Sequence, residues 1–384
     1  MNWAGTRWFK GDFHVHTPFS HCYRQHGVSA QDFFARVKDL DFVVVADHNT
    51  FDGYLHLLEY QVSGTVLFPG IELKVPSGYG GLSLVAILDP QHSPEILETF
   101  VREIGLSTAE KGDNRVLVQK SLPEILRIID KYHGIVLWTK VFSPEGLIGG
   151  LDAPQREYVL KLSGNNGILD LGPEGGAMPG VWGSNAHSLA EISALSMIKL
   201  EQLNFAALKF ALQDLQGRVR PGVTPVKLNY PRILSLQVTG GFLNNQVFEF
   251  NPGLNCLIGA RGTGKSTALR LLSFALGTDV KPAELGALVE VQVNLVDSGG
   301  ELLRVKRRPG QKPRVQDIYG RLLERDIKGL AVFFAQGEIE QVVLRPEFQL
   351  ELLDSTWDSA GLIADRERFW LALQANNRRL AELG

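Results

Sequence analysis

The chain has 384 residues, 44% hydrophobic and 21% charged, with 40 Gly and 18 Pro. At roughly 150 residues per domain this predicts two globular domains and excludes a single small module, a disordered chain and a collagen-like repeat. The net charge of -3 hides an asymmetry: up to Gly222 there are 19 basic and 24 acidic residues, and beyond it 20 and 18, while all nine histidines precede residue 190. A His-rich acidic half followed by a His-free, slightly basic half predicts two different chemistries. No run approaches the roughly 18 apolar residues of a membrane span, and the start lacks a signal-peptide layout, so a cytoplasmic protein without membrane contact is expected. Cys22 and Cys256 provide neither a disulfide framework nor a paired metal knuckle.

In chain order, helical spacing over Ser29–Leu40 is followed by β-branched runs that read as strands at Phe42–Ala46, Thr65–Phe68 and Leu82–Leu88. A second helix is expected over Ser121–Tyr132 and a fourth strand at Gly134–Trp138, with Ser29 and Ser121 placed as N-caps. Strands alternating with helices predict a parallel α/β architecture. Ser188–Leu215 reads as a final helix pair, and the Pro- and Gly-rich stretch after Leu215 reads as a linker. The resulting division is a domain over 1–216, a linker over 217–231, a second domain over 232–358 and the start of a coiled-coil helix over 359–384. In the second domain, strands are expected at Ile233–Val238, Val247–Phe250 and Leu254–Ile258, then a Gly-rich loop and a helix from Lys265. A hairpin then joins Leu288–Val296 to Glu301–Val305 through Asp297-Ser298-Gly299-Gly300. At the end, Phe369, Leu373, Asn376, Leu380 and Leu383 alternate by four and three, as a coiled-coil seam does.

Four polar clusters sit at strand ends in the first half: Asp12-Phe13-His14-Val15-His16 with Ser20-His21, Ala46-Asp47-His48-Asn49, Gly70-Ile71-Glu72, and Gly183-Ser184-Asn185-Ala186-His187. Two His one residue apart on a strand point the same way and can reach one ion, with Asp12 placed to fix a tautomer. Together the clusters predict a metal site. Over about residues 8–215 these segments resemble the PHP (polymerase and histidinol phosphatase) family of metal-dependent phosphoesterases. The resemblance implies a distorted (β/α)7 barrel with up to three divalent ions, Zn2+ or Mn2+, and phosphoester hydrolysis. It implies that His14, His16 and Glu72 hold one ion, with Glu72 bridging to a second. His21, His48 and His187 would hold a third, and Asp12 and Asp47 would orient ligands. Asp47 and His48 are the expected catalytic residues. Asn185 stands where the family has Asp and is kept as a candidate ligand. Thr139 and Ser83 stand where it has His; both of those would serve one ion, whose site the chain then lacks.

The second half carries Gly259-Ala260-Arg261-Gly262-Thr263-Gly264-Lys265-Ser266, which fits GxxxxGK[ST] after an apolar run and before a helix. Its backbone amides cradle phosphates, Lys265 reaches the outer phosphate oxygens and Ser266 binds Mg2+, so ATP and Mg2+ are the expected cofactors, with Thr267 beside them. From Ile233 onward the chain resembles the N-terminal lobe of ABC ATPases of the SMC and recombination-repair type. The resemblance implies that Gln336, in Val332-Phe333-Phe334-Ala335-Gln336, contacts Mg2+ and the attacking water. No apolar run ending in Asp-Glu and no LSGGQ-type segment follows, so either further sequence or a second chain is expected to complete the ATPase, and a dimer through this head is expected. Arg304, Lys306, Arg307, Arg308, Lys312 and Arg314 lie in a stretch without acids and are a candidate DNA or RNA contact, or else a solvated hairpin tip.

The arrangement looks like the TrlF-type PHP-ATPase fusions: an SMC-like ATPase controlling a phosphoesterase that acts on a nucleic acid or nucleotide, as in nucleic-acid processing or genome defence. Two other readings stay open, a non-catalytic PHP scaffold on an ATP-gated nucleic-acid-binding module and a stand-alone small-molecule phosphatase.

Overall fold

The computed structural model describes residues 5–61, 64–76, 81–163, 167–170, 179–193, 196–222, 230–277, 290–325, 327, 330–334, 340, 344–347, 349–350 and 360–382. The chain forms two compact units, Met1–Leu228 and Asn229–Gly384.

The N-terminal unit is built on an eight-stranded sheet whose first four strands are β1 (Arg7–Val15), β2 (Phe42–His48), β3 (Val66–Pro76) and β4 (Gly81–Ile87). The others are β5 (Ile135–Trp138), β6 (Gly167–Leu169), β7 (Ser196–Leu200) and β8 (Val219–Pro221), and the spatial order is β6-β5-β4-β3-β2-β1-β7-β8. Strands β1, β2 and β3 pair in parallel, as do β5 and β6, while β4 runs antiparallel to both neighbours. The sheet is therefore mixed rather than all parallel. The short segment 181–186 then bridges β6 to β1: Val181 pairs with Asp170 and Ala186 with Val15. These bridges carry the ring of β1 to β6 back on itself, the distorted seven-membered barrel expected from sequence.

β2 reads as an unbroken apolar run because both of its faces are covered. Val43 and Val45 enter one core cluster with Leu84, Phe100 and Ile125, whereas Phe42, Val44 and Ala46 enter another with Phe13, Phe68 and Leu137. Around the sheet lie α1 (Ala30–Val37), α2 (Asp52–Glu59), α3 (Pro94–Ile104), α4 (Leu122–Lys131) and α5 (Ala153–Ser163). Ser29 caps α1 with a reciprocal Ser29–Asp32 box, and Ser121 does the same for α4 with Glu124, as N-cap chemistry predicts. The expected helix pair over Ser188–Leu215 is corrected. Its middle is strand β7, whose residues alternate between buried and half-buried and pair antiparallel with Arg7–Gly11 of β1. Among the described residues there, a short 3-10 turn covers Leu189–Glu191 and α6 spans Phe205–Ala211, followed by α7 (Leu215–Arg218). Tertiary pairing overrode a helical reading that the short apolar spacing left ambiguous.

The C-terminal unit has a six-stranded antiparallel sheet of β9 (Arg232–Thr239), β10 (Gln246–Glu249), β11 (Glu290–Val296), β12 (Leu302–Arg307), β13 (Arg314–Gln316) and β14 (Leu322–Leu323). Its order is β10-β9-β11-β12-β13-β14, and helix α8 (Lys265–Ala275) packs Leu271 and Phe274 into the core with Leu236, Val293 and Val305. The expected strand at Leu254–Ile258 is not one: Leu254 and Ile258 are 91% and 92% exposed, and none of the six described strands lies beside the segment. An apolar run supplies propensity, but a strand requires a neighbour to pair with. Helix α9 (Ala360–Glu382) covers Phe369, Leu373, Asn376 and Leu380 of the predicted seam, with Phe369 and Leu373 exposed, while Leu383 lies outside the described residues.

Candidate metal centre and phosphate loop

The strand ends bring the polar clusters together. His14 lies on β1, with His16 just beyond its end, and both are fully buried; His48 ends β2 and is the register partner of Glu72 on β3. The Nε2 atoms of His14, His16 and His48 lie 3.2, 3.3 and 3.4 Å from one carboxylate oxygen, Glu72 Oε2. His187, from the segment after the bridge, stacks on His16 at 4.3 Å between ring centroids. Two groups thus have ligand atoms close enough for one ion each, His14–His16–Glu72 and His16–His48–His187.

Hydrogen bonds outside the cluster fix which imidazole nitrogens face inward. Asp47, buried at the end of β2, accepts from Thr17 N at 2.8 Å, Thr17 Oγ1 at 2.6 Å and Ser20 Oγ at 2.6 Å. With its proton given to Asp47, Ser20 Oγ can only accept from His16 Nδ1 at 3.1 Å and from the His48 amide at 3.1 Å. Nδ1 of His16 therefore carries the proton, and Nε2 presents a lone pair. His187 Nδ1 donates to the carbonyl of Asn185 at 2.7 Å, which leaves its Nε2 free in the same way.

Burial, reinforced by neighbouring imidazoles, pushes His48 down to about 3 and His187 to about 4, so both are neutral near pH 7. Burial opposes the charge on His14 as well, but Glu72 and Asp170 outweigh it and lift this imidazole to about 9. Glu72 is likewise disfavoured by burial, yet the imidazoles around it hold its carboxyl well below the usual carboxylate range.

The donor set fits a divalent cation. Ligands bonded at about 2.1 Å to one ion stand about 3.0–3.4 Å apart, the spacing found around Glu72 Oε2. His14 Nδ1 is buried without a hydrogen-bond partner, its nearest anion being Asp170 Oδ2 at 3.6 Å. His16 Nε2 and Asn185 Oδ1, both bearing lone pairs, face each other at 3.2 Å, a contact that a shared cation turns from repulsive to attractive.

Other expected residues fall elsewhere. His21 is exposed and lies outside both ligand groups; its amide donates to Gly112 O. Asp12 fixes no imidazole tautomer. Its carboxylate accepts from the amides of His14, Ser184 and Ser193, tying β1 to the bridging segment, and burial raises it to about 6. Two residues near the site, Asp170 and Lys140, were missed in the sequence, and Ser20, noted there beside His21, was given no role. Asp170 follows the apolar Ile168-Leu169 as Asp47 follows the apolar run Phe42–Ala46, so the strand-end rule that found Asp47 could have found it; Lys140 stands two residues beyond β5. Lys140 Nζ and Thr139 Oγ1 lie 3.3 and 3.4 Å from the other oxygen of the bridging candidate, Glu72 Oε1.

In the C-terminal unit the loop 259–264 leads into α8, with Gly264 as N-cap at φ +93° and Gly262 at φ +85°. No side chain caps the helix start, so its first amides remain available to an anion. Lys265 Nζ donates to the loop's own carbonyls of Gly259 and Ala260 at 2.8 and 2.7 Å, and Thr263 Oγ1 donates to Ala260 O at 2.9 Å. Gln336 lies outside the described residues. Of the basic stretch, Arg307 lies over the Phe274 ring at 4.4 Å and Arg308 pairs with Glu290, while Lys312 is exposed.

Residues 234–326 match the protein family described as AAA domain, which spans β9 to β14 and the phosphate loop. Among solved structures, the chain is similar to the lesion-specific endonuclease PfuEndoQ from Pyrococcus furiosus, with 15% identity and a TM-score of 0.43 over 60% of this chain and 62% of that one. It is also similar to an Endonuclease Q bound to a 27-mer duplex with an abasic lesion, with 17% identity and a TM-score of 0.41 over 55% and 58% of the two chains. A third similarity is to a protein from work on the ATP-driven dimerisation and DNA-stimulated activation of SMC ATPases, with 20% identity and a TM-score of 0.25 over 33% of this chain and 99% of that one. The chain spans about three-fifths of the endonuclease's length. A search of curated proteins finds no match. Among the described residues, no helix is long and apolar enough to cross a membrane.

Proposed function

We propose that the N-terminal unit is a metal-dependent phosphoesterase acting on a nucleic acid or nucleotide, and that the C-terminal unit binds ATP and governs it. The observation that carries the first part is the convergence of His14, His16 and His48 Nε2 on Glu72 Oε2 within 3.2–3.4 Å. His14, His16, His48, His187 and Glu72 would hold Zn2+ or Mn2+, with Asn185 beside them. When bound, such an ion supplies Lewis acidity to a phosphoryl oxygen and to water. The protein's own residues do the rest. Asp47 and Ser20 hold His16 in the ligating tautomer, buried His48 and half-buried His187 stay neutral, and Glu72 supplies the negative charge that offsets the cation.

For the second unit, the amides of 259–266 and the start of α8 would cradle the phosphates of ATP, with Lys265 and the Ser266 hydroxyl reaching the outer phosphates and Mg2+. Gln336 is assigned to the same nucleotide, and dimerisation through the head would complete the ATPase. Lys306, Lys312 and Arg314 are the cations proposed for a nucleic-acid backbone, with Arg304, Arg307 and Arg308 alongside.

The test is metal analysis of protein purified without chelator, combined with hydrolysis of a phosphodiester probe. Wild type is expected to retain Zn or Mn and to hydrolyse the probe, and the His14→Ala, His48→Ala double variant to lose both. Unchanged hydrolysis in that variant, or a wild type devoid of metal and activity, would overturn the phosphoesterase reading.

A further inference from the structure

The two oxygens of Glu72 face different chemistry. Oε2 is surrounded by imidazole nitrogens, whereas Oε1 faces the Lys140 ammonium at 3.3 Å and the Thr139 hydroxyl at 3.4 Å. The groups nearest that second side cannot replace an ion's ligands. Thr139 and Ser83 are buried hydroxyls joined through their backbones, with the Thr139 amide donating to Ser83 O, and a neutral hydroxyl is a poor ligand beside imidazole and carboxylate. The cation on this side of the carboxylate is one the chain carries covalently.

Backbone geometry holds it there. Lys140 lies two residues beyond the end of β5 with φ +52°, a left-handed conformation that a long side chain adopts only at a cost of about 1–2 kcal/mol and that surrounding structure must impose. Its carbonyl accepts from the Ser143 amide at 2.8 Å, closing the turn. The nearest other anion, Glu145, is paired by Lys74 at 2.5 Å and stands 4.0 Å from Lys140, so that carboxylate is already neutralised. The Lys140 side chain is 30% exposed while Glu72 is buried. The ammonium thus bonds inward to Glu72 from a side chain that still reaches solvent. When Glu72 balances a cation on Oε2, Lys140 is left as surplus positive charge beside that cation, which suits an anion bridging the two.

Resting on the phosphoesterase reading above, we propose that Lys140 is the phosphate-binding residue of this site: its ammonium contacts a non-bridging oxygen of the substrate phosphoryl group, beside the imidazole-held ion and in place of a further metal. Its donors are mobile and its charge is compact, as phosphate recognition by lysine requires.

The experiment measures metal content and inorganic phosphate affinity, by calorimetry, of the full chain as wild type, Lys140→Ala and Lys140→Arg, each loaded with Mn2+. Metal content is expected to stay equal in all three, because an ammonium is not a ligand. Phosphate affinity is expected to fall about 10- to 100-fold in Lys140→Ala, the loss typical of a charge-assisted hydrogen bond, and to be partly restored in Lys140→Arg. Phosphate binding by wild type that Lys140→Ala leaves within twofold would overturn the role of Lys140 alone. So would a Lys140→Ala protein that takes up an additional ion. Wild type binding neither Mn2+ nor phosphate would instead overturn the phosphoesterase reading beneath it.

Discussion

Ser20 Oγ stands 3.1 Å from His16 Nδ1 and 2.6 Å from Asp47 Oδ1, so a hydroxyl relays the preference of a buried carboxylate on β2 to an imidazole just beyond the end of β1. The relay decides which nitrogen of His16 faces Glu72. Ser20→Ala removes the acceptor without touching any candidate ligand, so the ring loses its fixed tautomer. Metal affinity is expected to fall about 10- to 100-fold, the usual consequence of losing an orienting partner. Titration of the chelator-stripped variant with Zn2+ measures this, with circular dichroism confirming the fold. An affinity within twofold of wild type would show that the relay orients nothing.

The pH dependence of the metal-free protein has two opposed limbs. His48 and His187 have folded pKa values lowered to about 3 and 4 from an ordinary 6.5, so the unfolded chain takes up their protons first, and stability present above 6.5 is lost as pH falls toward those values. His14 is raised to about 9, so its contribution is complete below 6.5 and is lost as pH rises through 9. Melting temperature in chelator is expected to fall on both sides of neutrality. A bound cation displaces the His14 proton, so apparent metal affinity should rise through the neutral range, by up to about tenfold per pH unit. Melting curves from pH 4 to 9.5, with chelator and with Zn2+, test both statements. Metal affinity that stays flat between pH 6 and 8 would contradict the protonated state assigned to His14.

The sequence made the ligand types readable because strand alternation and strand-end position are local properties: His14, His16, His48 and Glu72 each follow or close a run of apolar residues. What it concealed were relations between strands. Asp12 looked like an imidazole partner from its position two residues before His14, but its carboxylate accepts instead from three backbone amides, of His14 on its own strand, of Ser184 in the bridging segment and of Ser193 beyond it. Lys140 resembled any lysine after a strand until the β4–β5 and β3–β4 pairings placed it against Glu72. Strand β7 was hidden for a similar reason. Its alternation is five residues long, too short to separate strand from helix, and its pairing partner β1 lies far upstream in the chain.

In the phosphate loop, Gly264 combines φ +93° with a crowded environment. A Cβ placed there would lie 2.9 Å from Leu243 Cδ2 and 3.0 Å from Phe242 Cε1. Gly264→Ala therefore strains the turn that aims the first amides of α8, whereas Lys265→Ala puts no strain on the backbone and removes the ammonium together with its two bonds to the loop carbonyls. Both variants are expected to bind a fluorescent ATP analogue at least about tenfold more weakly. Gly264→Ala is expected to lower the melting temperature as well, by a few degrees for about 1 kcal/mol. Undiminished nucleotide binding by Lys265→Ala would exclude the loop as the nucleotide site.

Gly183 marks where the bridging segment passes closest to the cluster. Its amide donates to Asp170 Oδ1 at 2.7 Å, and a Cβ added to it would lie 2.6 Å from Asp170 Oδ2, 2.6 Å from His14 Cβ and 3.1 Å from the His14 backbone nitrogen. Two of those neighbours cannot swing aside, since they belong to the backbone and first side-chain carbon of a buried strand. Gly183→Ala must therefore push segment 181–186 off β1, shifting His14 against Glu72 and carrying His187 away from His16. The expected cost is about 1–3 kcal/mol of stability, as for other overpacked sites, together with weaker metal binding. Ser184→Ala, which removes the 3.2 Å bond to His14 O and the hydroxyl contact with Asp12 but places no new atom against β1, is the control and should cost less. Denaturant unfolding and Zn2+ titration of the two variants distinguish them, and a Gly183→Ala protein as stable and as metal-avid as Ser184→Ala would show that this approach does not position the site.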